Sequence, residues 1–229
     1  MSIIRLNENK LRTVVFIATG LFLFMSALFF LPIGIPHKVT LPVATLFVAS
    51  LWLCPWEMTL ALLFSALGDY FGSCNHFIAQ MGFFAAGHAW LIFYFTRRYF
   101  KKIEPDRRLT AKAKGYMTMI IICALALLAV VFTRIVPCTP EGSIRIGVCI
   151  YACLICSMLV MAMLQRSSIF ALGAILFVFS DFILAWNKFV EPVPHSSLLI
   201  LATYFLAQWL LFIRSTSFRV APEMRILRF

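Results

Sequence analysis

From Thr13 to Leu31 the chain runs nineteen residues without a charged side chain, and seven further apolar runs follow. A helix rises about 1.5 Å per residue, so a run near 20 residues spans the ~30 Å hydrocarbon core of a bilayer. The runs fall at about 13–31, 38–55, 57–73, 76–96, 115–136, 144–164, 167–187 and 197–214. Pro, Gly or charge separates them, at Pro32/Pro36, Pro55, Gly72 to Asn75, Pro137/Pro140, Gln165-Arg166 and Pro192/Pro194. This pattern predicts an all-α fold: a polytopic membrane bundle of eight transmembrane helices, one domain over residues 1–229.

Composition excludes the alternatives. Apolar residues make up 62% of the chain and charged ones 13%, about half the charged share of a soluble domain. A soluble enzyme, a disordered chain and a nucleic-acid module are all ruled out. The formal charge of +11 therefore reads as topology, not as a nucleic-acid partner. The first run resembles a signal peptide in its basic flank, but it is too long and lacks a small-residue cleavage site, so it is expected to stay.

Eight spans put both termini on one side. That side collects sixteen of the twenty Lys and Arg, eight of them between Arg97 and Lys114. The other side holds Lys38, Arg134, Arg145 and Lys188. The excess predicts cytoplasmic termini in a multi-pass membrane protein, an inner or plasma membrane one if bacterial. The basic loop is expected to meet anionic lipid headgroups. Of seven cysteines, Cys149, Cys153 and Cys156 form a helical stripe of packing residues. Cys74 and Cys138 fall in loops on one side, where a disulfide stays an open alternative.

Of nine carboxylates, Asp69 and Asp181 alone sit well within apolar runs. An intramembrane acid is costly unless paired or solvated, which makes it a functional-site hypothesis. The bland reading is a helix–helix hydrogen bond, for instance through Ser180. Depth counted at about 1.5 Å per residue puts Asp69 roughly 5 Å and Asp181 roughly 9 Å below the outer ends of their spans. Tyr151 and Tyr204 fall in the same outer layer, with His88 and Gln208 deeper and Asn187 and Lys38 at the rim. Gln208 shares a helical face with Tyr204, while His88 reads equally well as a packing histidine. Leu67-Gly68-Asp69-Tyr70-Phe71 and Phe179-Ser180-Asp181-Phe182-Ile183 are similar phrases 112 residues apart, a hint of a four-plus-four repeat.

Two carboxylates sharing a low-dielectric pocket cannot both ionise cheaply, so they hold a proton between them. Such a pair can protonate a substrate and then activate water. Peptides, glycosidic bonds, epoxides and enol ethers all respond to it, and the location favours a lipid-like substrate. An intramembrane aspartyl protease is disfavoured, because Asp69 follows Ala66-Leu67-Gly68 instead of Gly-x-Gly and no Pro-Ala-Leu segment follows Asp181. A proton-coupled carrier or a non-catalytic lipid-binding protein would use the same pocket. The four histidines, His37, His76, His88 and His195, are scattered, and no metal or other cofactor is expected.

The segment Gly173 to Phe189, with Phe177, Ser180-Asp181 and Ala185-Trp186-Asn187, resembles the YhhN-like lysoplasmalogenase family of eight-span membrane hydrolases. So do Thr203-Tyr204 to Ala207-Gln208, Tyr151 with Ser157-Met158, Ser65 to Asp69, and Phe84 to His88. The chain departs at Leu91, where the family often has Tyr, and in the four-residue spacing of Lys38 and Pro42. The resemblance implies hydrolysis of the vinyl ether bond of a lysophospholipid drawn from the bilayer. In that reading Asp69 and Asp181 form the acid/base pair. Tyr151, Tyr204 and Asn187 orient water or glycerol oxygens, His88 and Gln208 line the pocket, and Lys38 meets the phosphate.

Overall fold

The structure is a computed structural model that describes residues 8–102 and 111–220. Among these the chain forms eight α-helices and no strand. They are α1 (Glu8–Phe30), α2 (Thr40–Leu53), α3 (Trp56–Ser73), α4 (Phe77–Lys102), α5 (Ala111–Val130), α6 (Ser143–Met163), α7 (Ser168–Phe189) and α8 (Ser196–Val220). Each corresponds to one expected run. Part of the charge count behind the predicted topology, including Arg5, Arg107, Arg108, Arg225 and Arg228, lies outside the described residues.

Among the described residues six helices are long and apolar enough to cross a bilayer: α1, α4, α5 with its extension, α6, α7 and α8. The helix α2 has 14 residues, about 21 Å at the usual rise, and α3 carries both Glu57 and Asp69. Large apolar side chains cover the outside of the bundle. Phe16 is 80% exposed, Ile122 60% and Ile146 61%, as befits a surface solvated by lipid and not by water.

Prolines and left-handed residues punctuate the chain. Pro55 precedes α3 in an extended conformation, where its missing N–H costs nothing. His37, Asn75, Arg166 and His195 each take positive φ, between 50° and 61°, in the turns before α2, α4, α7 and α8. Asn and His are both enriched in this region. The His37 ring is also fixed from outside its turn, with Nδ1 2.6 Å from Ser73 Oγ at the end of α3. The run expected at 115–136 does not end as an α-helix. It passes into a π-helical turn over Val131–Ile135 and then a 3₁₀ turn over Val136–Cys138. Pro137 explains the change, because its ring and missing N–H are incompatible with a continuing α-helix.

Helices α2, α3, α4, α6, α7 and α8 pack in succession, and α8 returns to α2, so that six helices close a ring. Helix α1 lies outside on α2 and α8, and α5 lies outside on α6. The ring is closed by α4 against α6 and by α8 against α2. These two closures are equivalent under an exchange of the first four helices with the last four, the pattern a four-plus-four repeat requires. Phe95, Phe170, Phe177 and Phe212 are among the fully buried side chains of the core.

Close helix approach depends on small residues. A Cβ on Gly87 of α4 would come within 3.3 Å of the Ala61 carbonyl oxygen and Ser65 Oγ of α3. Further along the same helix pair Arg97 donates to Glu57, a carboxylate only 4% exposed.

Candidate active site

Five of the six ring helices send polar or aromatic side chains into one network. Asp69, from α3, is 5% exposed, and its Oδ2 accepts a hydrogen bond of 3.0 Å from the Tyr204 hydroxyl on α8. The Tyr204 ring stands edge-on to Phe84 of α4 and Phe177 of α7, with centroids 5.8 and 5.4 Å away. Gly68 makes room for this arrangement, since a Cβ there would lie 3.1 Å from the Phe84 ring.

Asp181 anchors a second cluster. Its Oδ2 accepts from the Tyr151 hydroxyl of α6 at 2.6 Å and lies 3.3 Å from His88 Nε2 of α4. His88 Nε2 is also 3.0 Å from Tyr151 Oη. This triangle assigns the ring proton to Nε2, from which it is donated toward the oxygens. His88 is 1% exposed, and its Nδ1 has no hydrogen-bond partner. Phe177 joins the two clusters, because the ring that flanks Tyr204 also lies 4.6 Å, centroid to centroid, from His88.

Gln208 is buried one turn from Tyr204. Its amide lies beside the Tyr204 hydroxyl, yet its nitrogen makes no hydrogen bond of good geometry. A buried, unpaired amide next to paired acids has donors to offer a ligand oxygen. Ser180 does not bond its neighbour Asp181 and instead donates to the Ile200 carbonyl.

Lys38 and Asn187 make their hydrogen bonds elsewhere. Lys38 Nζ donates to the carbonyls of Leu31 and Ile33 and sits over the Phe29 ring, which ties the loop between α1 and α2. Asn187 Oδ1 accepts from the Val193 N–H and so folds the turn between α7 and α8. Cys74 approaches His37, and Cys138 donates to the Arg134 carbonyl, so neither is in a disulfide. Among the described residues no three His, Cys, Asp or Glu side chains gather in a metal-ligand group.

Sequence reasoning missed the parts played by Phe84 and Phe177. An aromatic four residues before His88 and another four before Asp181 were the available signal, since i and i+4 side chains share a helix face.

The YhhN family pattern matches residues 38–215, which takes in every one of these side chains. This chain belongs to the YhhN family. Human lysoplasmalogenase TMEM86B (Homo sapiens) is 30% identical to it over 155 residues, 66% of this chain. The pig protein of the same name (Sus scrofa) is 29% identical over 169 residues, 72% of this chain. Human lysoplasmalogenase TMEM86A is 43% identical over a shorter stretch of 51 residues, 22% of this chain and 21% of its own length. The stretches matched to the first two cover 59% and 64% of those proteins, so the chain spans less than two thirds of either. No solved structure matches the chain. With its apolar helices and membrane relatives, this YhhN protein is an integral, multi-pass membrane protein.

Proposed function

We propose that this chain hydrolyses the vinyl ether bond of lysoplasmalogens inside the membrane, releasing a fatty aldehyde and glycerophospho-ethanolamine or -choline. The observation that carries this reading is the pair of inward carboxylates, Asp69 on α3 and Asp181 on α7, each bonded to its own tyrosine hydroxyl. The names of the relatives support the substrate class.

The chemistry requires two carboxyl groups in different protonation states. A protonated carboxyl transfers its proton to the β-carbon of the vinyl ether, and the double-bond electrons form the new C–H bond. An oxocarbenium ion remains at the carbon bearing oxygen. The ionised carboxylate stabilises that cation and takes a proton from the water that adds to it. The hemiacetal then loses its bond to the glycerol oxygen, which receives a proton, while the hemiacetal hydroxyl gives up its own proton to leave the aldehyde. One water is consumed, and the pair returns to its starting state.

Tyr151 and Tyr204 hold the two carboxylates in place, and His88 fixes Tyr151 and Asp181 together. Gln208 supplies the donor for a substrate oxygen. In this reading the molecule is one domain of eight spans with both termini cytoplasmic. The sixteen-to-four distribution of basic residues supports the orientation, and the short α2 crosses at a locally thinned bilayer.

The test is aldehyde release by purified protein from lysoplasmalogens carrying either headgroup, alongside the Asp69→Asn/Asp181→Asn double variant. Aldehyde from the wild type and none from the folded variant is the expected result. No aldehyde from folded wild-type protein with either headgroup would overturn the reading.

A further inference from the structure

We propose that the hydrocarbon chain of the substrate lies in a groove between α5 and α7, floored by α6, and that Asp181 is the carboxylate that meets it. This inference rests on the vinyl ether reading above, which names the reaction but not the route by which a lipid reaches the acids.

The groove is a narrow cleft with an enclosed volume of about 50 Å³, and it is open along one side. Leu127 and Ile135 come from α5 and its π-helical turn, Val148 and Ala152 from α6, and Val178 and Ala185 from α7. Asp181 and Tyr151 bring the oxygens to a wall otherwise made of hydrocarbon and the Cys156 thiol. Asp69 does not line this groove. The exposure of the two acids agrees, since Asp69 is sealed while the Asp181 side chain keeps 13% of its surface. Asp181 therefore stands at a boundary, bonded to His88 within the ring and facing the groove outside it.

The layout matches a single-chain lipid in orientation. From Val148 to Cys156 the floor is about 12 Å long at the usual helical rise, and Tyr151 and Asp181 stand near its middle. Ile135, Val148 and Ala185 line the end nearer the α7–α8 turn, and Leu127 and Val178 line the opposite end. A lipid whose headgroup lies at the first end would bring its first chain carbons, where a vinyl ether stands, to Asp181 and past it toward Asp69 within the ring. The rest of the chain would continue toward Leu127 and the bilayer interior.

The π-helical turn supplies an independent observation. Its first and last residues, Val131 and Ile135, both line the groove. A π turn inserted in an α-helix is rare and is frequently found at functional sites. Here it carries α5 into contact with α7 and forms the wall opposite Asp181. Next to the lining residues, Phe132 and Phe179 are exposed on the apolar surface, so the opening faces lipid.

The experiment uses the full chain in lipid nanodiscs with a saturated 1-alkyl lysophosphatidylcholine carrying a diazirine in its chain. After photolysis the label is mapped on peptides, and aldehyde release from an unlabelled 1-alkenyl lysophosphatidylcholine is measured in parallel on the same preparation. Label is expected on segments 127–135, 148–156 and 178–185. Filling the groove by Ala185→Phe should lower labelling about tenfold, the effect of one to two kcal/mol of overpacking. The control Ile146→Phe, on the outer surface of α6, should leave labelling unchanged. Label concentrated on other helices would overturn the inference, as would wild-type labelling in folded Ala185→Phe. Label in the groove of a protein that releases no aldehyde would support the groove and remove the vinyl ether reading. Aldehyde release with label elsewhere would do the reverse.

Discussion

The hydroxyl of Tyr204, on the last helix, donates to Asp69 on the third across 135 residues of sequence. No local feature of the chain brings these residues together. Their contact exists because α8 closes the ring beside α2 and α3, so the site and the closure of the fold are formed by the same packing. The second acid repeats the arrangement, with Asp181 of α7 bonded to His88 of α4. Exchanging the first four helices with the last four relates α3–α8 to α7–α4.

Removing the Tyr204 hydroxyl leaves Asp69 buried without its donor. Hydrogen bonds to charged groups are worth about 1.5–3 kcal/mol, so Tyr204→Phe should reduce aldehyde release by about 10–100-fold. Tyr151→Phe should do less harm, because His88 still reaches Asp181. Steady-state rates of the two variants, with equal elution profiles, check this order.

Gly68 holds its place by leaving room for Phe84. A Gly68→Val change would push a branched side chain into a ring that already stands 3.1 Å from the first added carbon. Overpacking of this kind costs about 1–3 kcal/mol. The expected outcome is a lower Tm in detergent together with loss of activity. Gly68→Val paired with Phe84→Leu should recover part of the Tm but not the full rate, since Tyr204 loses its edge-on neighbour.

The Glu57–Arg97 pair makes a prediction that concerns folding alone. Breaking a pair whose carboxylate is buried leaves an uncompensated charge, which is worse than removing both partners. Arg97→Ala should therefore lower Tm by several degrees, and adding Glu57→Gln in the same chain should restore much of it. Thermal unfolding of the two single variants and the double variant completes the cycle.

The helices were legible where the sequence carries hard stops. The run expected at 57–73 is a helix over Trp56–Ser73, because Pro55 fixes its start and the Gly72–Asn75 turn fixes its end. Length was less legible. Counting apolar residues gave 38–55 the same weight as the other runs, yet α2 has 14 residues, its ends set by the loop at His37 and by Pro55. The π-helical turn in α5 was not readable either, since Pro137 announces a break without saying how the backbone accommodates it.

At the site, helical depth alone grouped Asp69, Asp181, Tyr151 and Tyr204 in one layer, and the structure gathers these four with His88. Which tyrosine serves which acid depends on how α6 packs against α7 and on α8 crossing to α3, and sequence spacing contains neither fact. Lys38 and Asn187 were placed at the rim by the same depth count. Their partners are loop carbonyls and a loop N–H, contacts that depend on how each turn folds.

The central claim is that two carboxyl groups protonate a carbon–carbon double bond and direct water to the cation. It is tested most directly with a 1-alkenyl lysophospholipid and its saturated 1-alkyl counterpart, each offered to wild-type protein, Asp69→Asn and Asp181→Asn. The account predicts aldehyde from the alkenyl lipid with wild type, no cleavage of the saturated ether, and a fall of about 10²–10⁴-fold for each folded variant. Cleavage of the saturated ether, or near wild-type aldehyde release by either variant, would contradict it.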